Sequence, residues 1–258
     1  LLNDGKGKFS EKEIPSAASG LWWTLEKGDF DGDGDSDFIL GNLGWNNKFG
    51  GSKGTNLEVY SGDLDHNGDN DVILALTRRD MLAPVRGRDR SAQEMPFIKT
   101  KYPTYESFAK AKFTDIYPEE MLKRGVHQQV SSMSSAYLRN NGDGTFSSGD
   151  LPSACQAGPV KAFYVGDING DTHLDFIYAG NHLPTEIETA RYDGLYPGVC
   201  LGDGKGNFTC NTAMIGGKLR IEDARDIQRI KLADGRQVFL IANNNGGMRV
   251  YSLTNSIH

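Results

Sequence analysis

Three stretches of this chain repeat acidic and amide side chains at one spacing. They read DFDGDGDSD over 29–37, DLDHNGDND over 63–71 and DINGDTHLD over 167–175. Positions 1, 3, 5 and 9 always carry Asp or Asn, whose oxygen atoms are the hard ligands that Ca²⁺ prefers. A tightly coiled loop with this spacing can fold around one cation, so the sequence predicts three Ca²⁺ sites.

Each predicted site combines four side-chain ligands with the backbone carbonyl of the seventh loop residue. The first set is Asp29, Asp31, Asp33 and Asp37, with the carbonyl of Asp35. The second set is Asp63, Asp65, Asn67 and Asp71, with the carbonyl of Asp69. The third set is Asp167, Asn169, Asp171 and Asp175, with the carbonyl of His173. Ligand charge tunes Ca²⁺ affinity, so we expect the first site, with four carboxylates, to bind most tightly.

The loops share one feature with an EF-hand and lack another. Gly34 and Gly68 occupy position 6, where an EF-hand loop also turns sharply, and Thr172 replaces this glycine in the third loop. No Glu stands at position 12. The alternative to metal binding is a set of Asp/Gly turns that only cap hairpins. Three copies with the same ligand spacing favour the metal sites.

Short apolar runs lie on both sides of the loops. The runs after the loops are 38–40, 72–74 and 176–178, and two runs before them are 57–60 and 160–165. Short runs rich in β-branched and aromatic residues predict buried strands rather than helices. The predicted unit is therefore strand, calcium loop, strand.

A second motif recurs beside the loops. LNDGKGKF ends at Phe9, RNNGDGTF ends at Phe146 and LGDGKGNF ends at Phe208. Phe9 precedes Asp29 by about as many residues as Phe146 precedes Asp167, so hairpin and loop recur as one linked unit. This combination resembles the FG-GAP/VCBS repeat of integrin-type β-propellers. The chain is similar to bacterial FG-GAP/VCBS proteins of the cartilage-acidic-protein-like, ASPIC/UnbV-type group.

The resemblance implies an all-β fold whose repeats are the blades of a β-propeller. Four blades are expected, three centred on the loops and one over 224–253, where Gln228 and Ile230 follow Asp226 in place of ligands. Because propellers of this type resemble the seven-bladed form, the four blades are expected to be part of a ring. We interpret 1–258 as a single β-propeller region, the C-terminal part of a longer chain.

One segment interrupts the strand pattern. Over 78–125 the chain carries eleven Lys or Arg against seven Asp or Glu, although its overall formal charge is −6. Ser91, Thr104 and Pro118 are residues at which helices can begin. The sequence therefore predicts a basic helical insertion over 78–130. Two roles stay open for it, a cap that covers a blade edge and an arm that binds a partner.

The three cysteines allow two interpretations. Cys200 and Cys210 flank the turn over 202–207 symmetrically, so they could face each other across a hairpin and form a disulfide that leaves Cys155 over. The alternative is three small buried thiols. A disulfide would imply an oxidising compartment.

A candidate ligand face contains one Asn from each of three units, namely Asn42, Asn181 and Asn244. The alternative for these residues is turn formation. Trp22, Trp23 and Trp45 are candidates for a platform that stacks on sugar rings. Neighbouring residues of a strand point to opposite faces, so at least one of the adjacent pair Trp22 and Trp23 is expected in the core.

The sequence offers little support for catalysis. The carboxylates have metal-binding spacing, the five His are scattered, and no Ser or Cys lies in a nucleophile-elbow sequence. No apolar stretch approaches the roughly 18 residues of a membrane-spanning helix. The charge balance does not suggest nucleic-acid binding.

The leading interpretation is a non-catalytic, calcium-binding β-propeller of a secreted or cell-surface protein. It would act in adhesion or, through protein partners, as a subunit of an envelope or outer-membrane complex. The resemblance implies the surface location, with outer-membrane association in a Gram-negative bacterium. The alternative is a carbohydrate-binding or carbohydrate-active propeller that takes a glycan.

Overall fold

The computed structural model describes residues 2–11, 14, 19–50, 56–78, 81–216 and 220–253. Its strands, in chain order, are β1 (Leu2–Asn3), β2 (Phe9–Ser10), β3 (Thr24–Gly28), β4 (Asp37–Gly41), β5 (Leu57–Gly62), β6 (Asp71–Arg78), β7 (Met81–Pro84), β8 (Val126–Val130), β9 (Ala136–Asn140), β10 (Phe146–Asp150), β11 (Val160–Gly166), β12 (Asp175–Gly180), β13 (Gly198–Gly202), β14 (Phe208–Asn211), β15 (Ile215–Gly216), β16 (Ala224–Lys231), β17 (Gln237–Asn243) and β18 (Arg249–Leu253). The α-helices are α1 (Arg88–Glu94), α2 (Phe97–Lys101), α3 (Tyr105–Lys110), α4 (Phe113–Ile116) and α5 (Glu119–Leu122).

The described strands form four four-stranded antiparallel sheets and one two-stranded ribbon, β1-β2. The orders of the larger sheets are β3-β4-β9-β10, β8-β5-β6-β7, β11-β12-β13-β14 and β16-β17-β18-β15. The predicted all-β class is confirmed. None of the described helices combines the length and the apolar character needed to cross a bilayer.

Each predicted metal loop joins two antiparallel strands in the same register. The glycine before the loop pairs with the Asp at position 9, as in Gly28 with Asp37, Gly62 with Asp71 and Gly166 with Asp175. The loop closes each hairpin because its two ends are held together by this pair. The predicted unit of strand, loop and strand is present three times.

The chain divides into two compact units. One contains 1–48 and 134–258, and the other contains 49–133. In chain order the second unit interrupts the first between β4 and β9, which are neighbours in one sheet. The sequence predicted one region over 1–258 with an insertion over 78–130. The compact inserted unit begins earlier, at Phe49, and contains the second metal loop.

Strand order also distinguishes the inserted unit. When the inserted segment is left out, strands within each sheet of the first unit that follow each other in the chain lie side by side, apart from β15 at one edge. In the inserted unit β8 instead pairs with β5 and not with β7, the strand before it. The sheet with the second loop therefore does not repeat the strand order of the sheets with the first and third loops.

The core of the first unit lies on both sides of the sheet β11-β12-β13-β14. Ala162 and Ile177 point to one face and pack with residues of β16 and β17, such as Ile227. Phe163 and Phe176 point to the other face and pack in a second apolar cluster that includes residues near the first loop. Because both faces are covered, every residue of β12 is buried.

The core of the inserted unit is built by helices on its sheet. Ile73 and Ala75 of β6 pack against a set of helical and interhelical side chains, Ala92, Met95, Ile98, Tyr102, Phe108, Phe113, Ile116 and Tyr117. Isolated strands cannot bury such a face by themselves. The helices thus cover one face of their own sheet, whereas the capping interpretation placed them over a blade edge.

The helix starts were predicted with mixed success. Thr104 caps α3 and shares a capping box with Ser107, and Pro118 stands at the start of α5, as predicted. The prediction for Ser91 is wrong, because Gly87 stands at the N-cap of α1 and Ser91 is buried inside the helix. The segment 78–130 also contains the strands β7 and β8, which sequence reasoning missed.

Candidate metal centres

The three loops share one network of hydrogen bonds. The Asp at position 1 accepts from the amide at position 6, with distances of 3.1, 3.2 and 3.1 Å to the nitrogens of Gly34, Gly68 and Thr172. The side chain at position 5 accepts from the amide at position 7 at 2.9, 2.7 and 2.8 Å in the three loops. These bonds hold side-chain oxygens of positions 1 and 5 in one arrangement three times.

The Asp at position 9 fastens the far end of each loop. Its Oδ2 accepts from the amide at position 2 at 3.2, 3.0 and 2.8 Å in the three loops. The position-9 residues Asp37, Asp71 and Asp175 are at most 3% exposed. Burial is the main cause that raises the pKa of the Asp71 and Asp175 carboxyls. Each loop therefore buries one carboxylate whose charge favours a counter-ion.

The backbone of the loops turns through positive φ at positions 4 and 6. Position 6 has φ of 93° at Gly34, 93° at Gly68 and 75° at Thr172. Position 4 is glycine in the first and third loops, and in the second loop it is His66 with φ of 64°. The third loop keeps the geometry of the other two although its position 6 is not glycine.

Carboxylate oxygens converge in the first two loops. Single oxygens of Asp29, Asp31 and Asp37 lie within 4.8 Å of one another, and a second such group is Asp63, Asp65 and Asp71. Burial and the nearby Asp37 raise the pKa of the Asp31 carboxyl, although Arg139 acts in the opposite direction. Convergent carboxylate oxygens can coordinate a cation.

The third loop is assembled differently at its ligand positions. Within the described residues it brings no such trio of acidic oxygens within 4.8 Å, because position 3 is Asn169. The Asn169 amide instead donates to Asp171 Oδ2 at 2.8 Å, and this hydrogen bond lowers the pKa of the Asp171 carboxyl. The third loop thus satisfies part of its own charge through an amide.

Arg139 is a loop neighbour that sequence reasoning missed. Its Nε lies 2.5 Å from Asp31 Oδ2, and its Nη2 lies 3.8 Å from Asp33 Oδ2. The only sequence signal is its place as the first residue of RNNGDGTF, because the other two copies of that motif begin with Leu2 and Leu201. An unusual charge at a repeated position was therefore visible before the structure.

Two of the three predicted ligand-face asparagines are buried and structural. Asn42 is 0% exposed, and its Oδ1 accepts from the Leu21 and Leu43 amides at 3.1 and 2.8 Å. Asn181 is 1% exposed and exchanges hydrogen bonds with the Leu195 backbone. Both amides hold the chain after a strand and are buried, so these two residues do not belong to an exposed ligand face.

Asn244, the third predicted face residue, is exposed. Its Nδ2 lies 3.3 Å from Asp223 Oδ2, to which it donates, and its backbone amide donates to the Asp223 carbonyl. The three asparagines therefore do not form one exposed ring.

Cys200 and Cys210 are joined by a disulfide in the structure. They pair directly across β13 and β14, with their Cα atoms 3.9 Å apart. Cys155 is a buried free thiol whose Sγ lies 3.8 Å from that of Cys200. Burial raises the pKa of the Cys155 thiol, which keeps it protonated and unreactive at neutral pH.

A buried polar cluster in the first unit also escaped sequence reasoning. Lys161 Nζ lies 3.0 Å from Asp223 Oδ1, 2.9 Å from His182 Nδ1 and 4.4 Å from the centre of the Trp23 ring. The Lys161 and Asp223 side chains are 2% and 1% exposed. The four residues of this cluster come from four distant segments, so no local sequence pattern could have predicted that they meet.

The tryptophans are more exposed than expected. Trp22, Trp23 and Trp45 are 36%, 42% and 38% exposed. The expectation that Trp22 or Trp23 lies in the core is wrong, because both precede β3 and are outside its alternating pattern. Trp45 is held by its Nε1, which donates to Ser134 Oγ at 2.9 Å.

Comparisons of this chain with protein-family models, with curated proteins and with solved structures find no match.

Proposed function

We propose that this protein is a non-catalytic, calcium-binding β-propeller segment of the FG-GAP/VCBS type that belongs to a secreted or cell-surface protein. The observation that carries the proposal is the hydrogen-bond network that recurs in all three loops. A turn that only caps a hairpin does not need the same four side-chain positions each time. A loop that coordinates an ion does, because each position supplies one ligand.

The sheets of the first unit support the propeller part of the proposal. Three four-stranded antiparallel sheets lie in this unit, and β11 packs beside both β3 and β16. β3 and β11 are the first strands of the hairpins with the first and third loops. β16 is the first strand of the hairpin that lacks ligands. Successive sheets packed through such strands resemble neighbouring blades.

The chemistry of the loops suits a hard divalent cation. Their candidate ligands are carboxylate, amide and carbonyl oxygens, and Oδ2 of Asp31 is buried and accepts no hydrogen bond within the described residues. The first site would use Asp29, Asp31, Asp33 and Asp37 with the Asp35 carbonyl, and the other two sites would use the matching positions. A bound ion would neutralise the crowded carboxylates and tie together the two strands that each loop joins.

Calcium removal tests this proposal. We expect chelation to lower the melting temperature by roughly 10 °C or more, because a ligand that binds only the native state stabilises it according to its concentration and Kd. Metal analysis before and after chelation should find about three Ca²⁺ per chain and then none. Addition of Ca²⁺, but not of an equal concentration of Mg²⁺, should restore the melting temperature.

An unchanged melting curve after confirmed metal loss would contradict a structural role for calcium. The matched control is Asp226→Asn in the fourth predicted blade, over 224–253. Asp226 stands where a loop would begin, but ligands do not follow it. This exchange should leave the calcium content unchanged, whereas Asp63→Asn should reduce it by about one ion per chain.

We further propose a surface location, with a role in adhesion or as a subunit of an envelope or outer-membrane complex that contains protein partners. The disulfide between Cys200 and Cys210 supports an oxidising compartment. Mass spectrometry of the protein purified from its native source without reducing agent tests the location. Recovery of both cysteines as free thiols would count against it.

Carbohydrate binding is the second candidate function. The specific observation in its favour is that Trp22, Trp23 and Trp45 are each more than one-third exposed. Exposed aromatic rings can stack on sugar rings. Screening on a glycan array, repeated with Trp23→Ala and Trp45→Ala, separates the two candidates. Glycan binding that either exchange abolishes would favour this second function.

A further inference from the structure

Arg139 brings a positive charge to the first loop. Among the described residues it is the one Lys or Arg that forms an ion pair with a carboxylate of the three loops. Its partners Asp31 and Asp33 stand at positions 3 and 5, which are ligand positions in the proposed site. The guanidinium therefore acts on the ligand set itself and not on the outside of the loop.

The positive charge of Arg139 removes the difference in net charge between the first loop and the other two loops. The side chains at the ligand positions carry four negative charges in the first loop and three in each of the others, where one position is Asn67 or Asn169. The guanidinium of Arg139 adds one positive charge, and −4 plus 1 gives −3. A ranking by carboxylates alone overlooks this compensation.

We propose that Arg139 is an internal counter-ion that lowers the Ca²⁺ affinity of the first loop toward the level of the other two, an inference that rests on the proposed function. Arg139 lies beside ligands that a cation would share, so the two positive charges repel each other. Arg139 is 49% exposed, so solvent screens this repulsion and the effect is roughly two- to fivefold in Kd.

The geometry indicates that Arg139 competes with a cation for Asp31 and does not orient Asp31 as a ligand. An arginine that orients a ligand donates hydrogen bonds to its carboxylate, usually in a bidentate pair. Arg139 lies at ion-pair distance from Asp31 Oδ2, yet this oxygen accepts no hydrogen bond, and the Asp31 side chain is only 2% exposed. A bound cation would therefore contact the same buried oxygen that the Arg139 guanidinium faces.

The third loop contains a matched position for comparison. Asp37 Oδ1 accepts from the Asn140 amide at 2.8 Å, and Asp175 Oδ1 accepts from the Gly202 amide at 2.9 Å. Asn140 and Gly202 are thus equivalent residues of β9 and β13. The residue before Gly202 is Leu201, so the third loop has an apolar side chain where the first has Arg139.

Calorimetric Ca²⁺ titration of the full chain tests the inference. The variants are Arg139→Met, Leu201→Arg and, as a control for total charge, Arg191→Met at an exposed position between β12 and β13. Each is measured with and without Asp29→Asn or Asp167→Asn, which assign the heats to the first and third loops. Circular dichroism checks that each variant is folded.

We expect Arg139→Met to lower the Kd of the first loop about two- to fivefold and to lower the melting temperature of the chelated protein. Leu201→Arg should raise the Kd of the third loop by a similar factor, and Arg191→Met should change neither. Both effects should shrink at high salt, because salt screens exposed charges.

An unchanged or higher Kd of the first loop in folded Arg139→Met would overturn the inference and leave the proposed function standing. If Arg139→Met does not fold, Arg139→Gln and Leu201→Arg decide, and an unaltered third-loop Kd in folded Leu201→Arg overturns the inference. An absence of any Ca²⁺ binding in the unmodified chain would overturn the proposed function as well.

Discussion

Backbone conformation at position 6 limits which residues the loops tolerate. Left-handed φ suits glycine, whereas a β-branched side chain in that region is an outlier. Thr172 adopts φ of 75° in the third loop, and the Gly34 and Gly68 positions adopt 93°. The Thr172 amide still donates to Asp167, so the hydrogen-bond network holds the residue in this conformation. The third loop therefore carries strain that the first and second loops avoid at this position.

Thr172→Gly should stabilise the protein. Relief of the left-handed strain is worth roughly 1 kcal/mol, reduced by the greater freedom of glycine in the unfolded chain. Urea unfolding at saturating Ca²⁺ measures the change. Gly34→Thr is the reverse control, and it should destabilise the protein by a similar net amount, since a Cβ there meets no atom within 4 Å and only the backbone is strained. A Thr172→Gly variant less stable than the unmodified protein would contradict this account.

At the scale of elements, the same hairpin serves in two settings. In the first unit, sheets cover each other, and β12 is buried along its whole length. In the inserted unit, the sheet is covered by five short helices, and Ile98 and Ile116 are completely buried there. Five basic residues, Arg88, Arg90, Lys99, Lys101 and Lys110, lie on helices whose apolar residues contribute to this core. We therefore expect the inserted unit to need this segment for folding.

Ile116→Ala should destabilise the inserted unit by about 2–5 kcal/mol, because it opens a cavity beneath the helices. Tyr105→Ala is the matched control on the same segment, since this aromatic ring is 64% exposed and the exchange should cost less than about 1 kcal/mol. Denaturant unfolding measures both changes.

Deletion of 82–124 with a short Gly/Ser linker extends this test. We expect loss of structure in the inserted unit, because the deletion removes most of its core side chains. A folded deletion variant that retains the proposed second Ca²⁺ site would show that the sheet does not need the helices.

At the scale of the molecule, the cluster around Lys161 ties distant segments of the first unit together. Asp223 precedes β16, His182 follows β12, and Trp23 precedes β3. Burial, followed by the charge of Lys161, lowers the pKa of His182, although Asp223 acts in the opposite direction. Arg225 pairs with the other oxygen of Asp223 at 3.0 Å. Protonation of His182 would therefore place a second positive charge beside the Lys161 ammonium, whose Nζ lies 2.9 Å from His182 Nδ1.

This arrangement predicts a dependence of stability on pH. His182 takes up a proton more readily in the unfolded chain, where its pKa is about 6.5, than in the folded one. Its contribution to stability is therefore complete above that pH and is lost as the pH falls through the lower pKa of the folded state. Urea unfolding at saturating Ca²⁺ gives the free energy of unfolding at pH 7.5 and at pH 5.0. The loss of this free energy between the two pH values should be smaller for His182→Gln than for the unmodified protein. Equal differences would contradict the prediction.

The sequence by itself determined the parts of the molecule that depend on local chemistry. The nine-residue loops, the strands on either side of them and the Thr104 cap follow from the spacing of neighbouring residues, since each is formed by groups a few residues apart. The pairing of Cys200 with Cys210 remained one of two alternatives, because symmetry about a turn permits a disulfide without requiring it.

Only the tertiary structure decided which distant residues meet. It placed Arg139 beside Asp31, buried Lys161 with Asp223, and divided the chain at 49 and 133. It also showed that Asn42 and Asn181, candidates for a ligand-binding face, are buried structural residues. Such contacts depend on how whole strands and sheets pack, and packing joins residues far apart in the chain whose types alone do not reveal their partners.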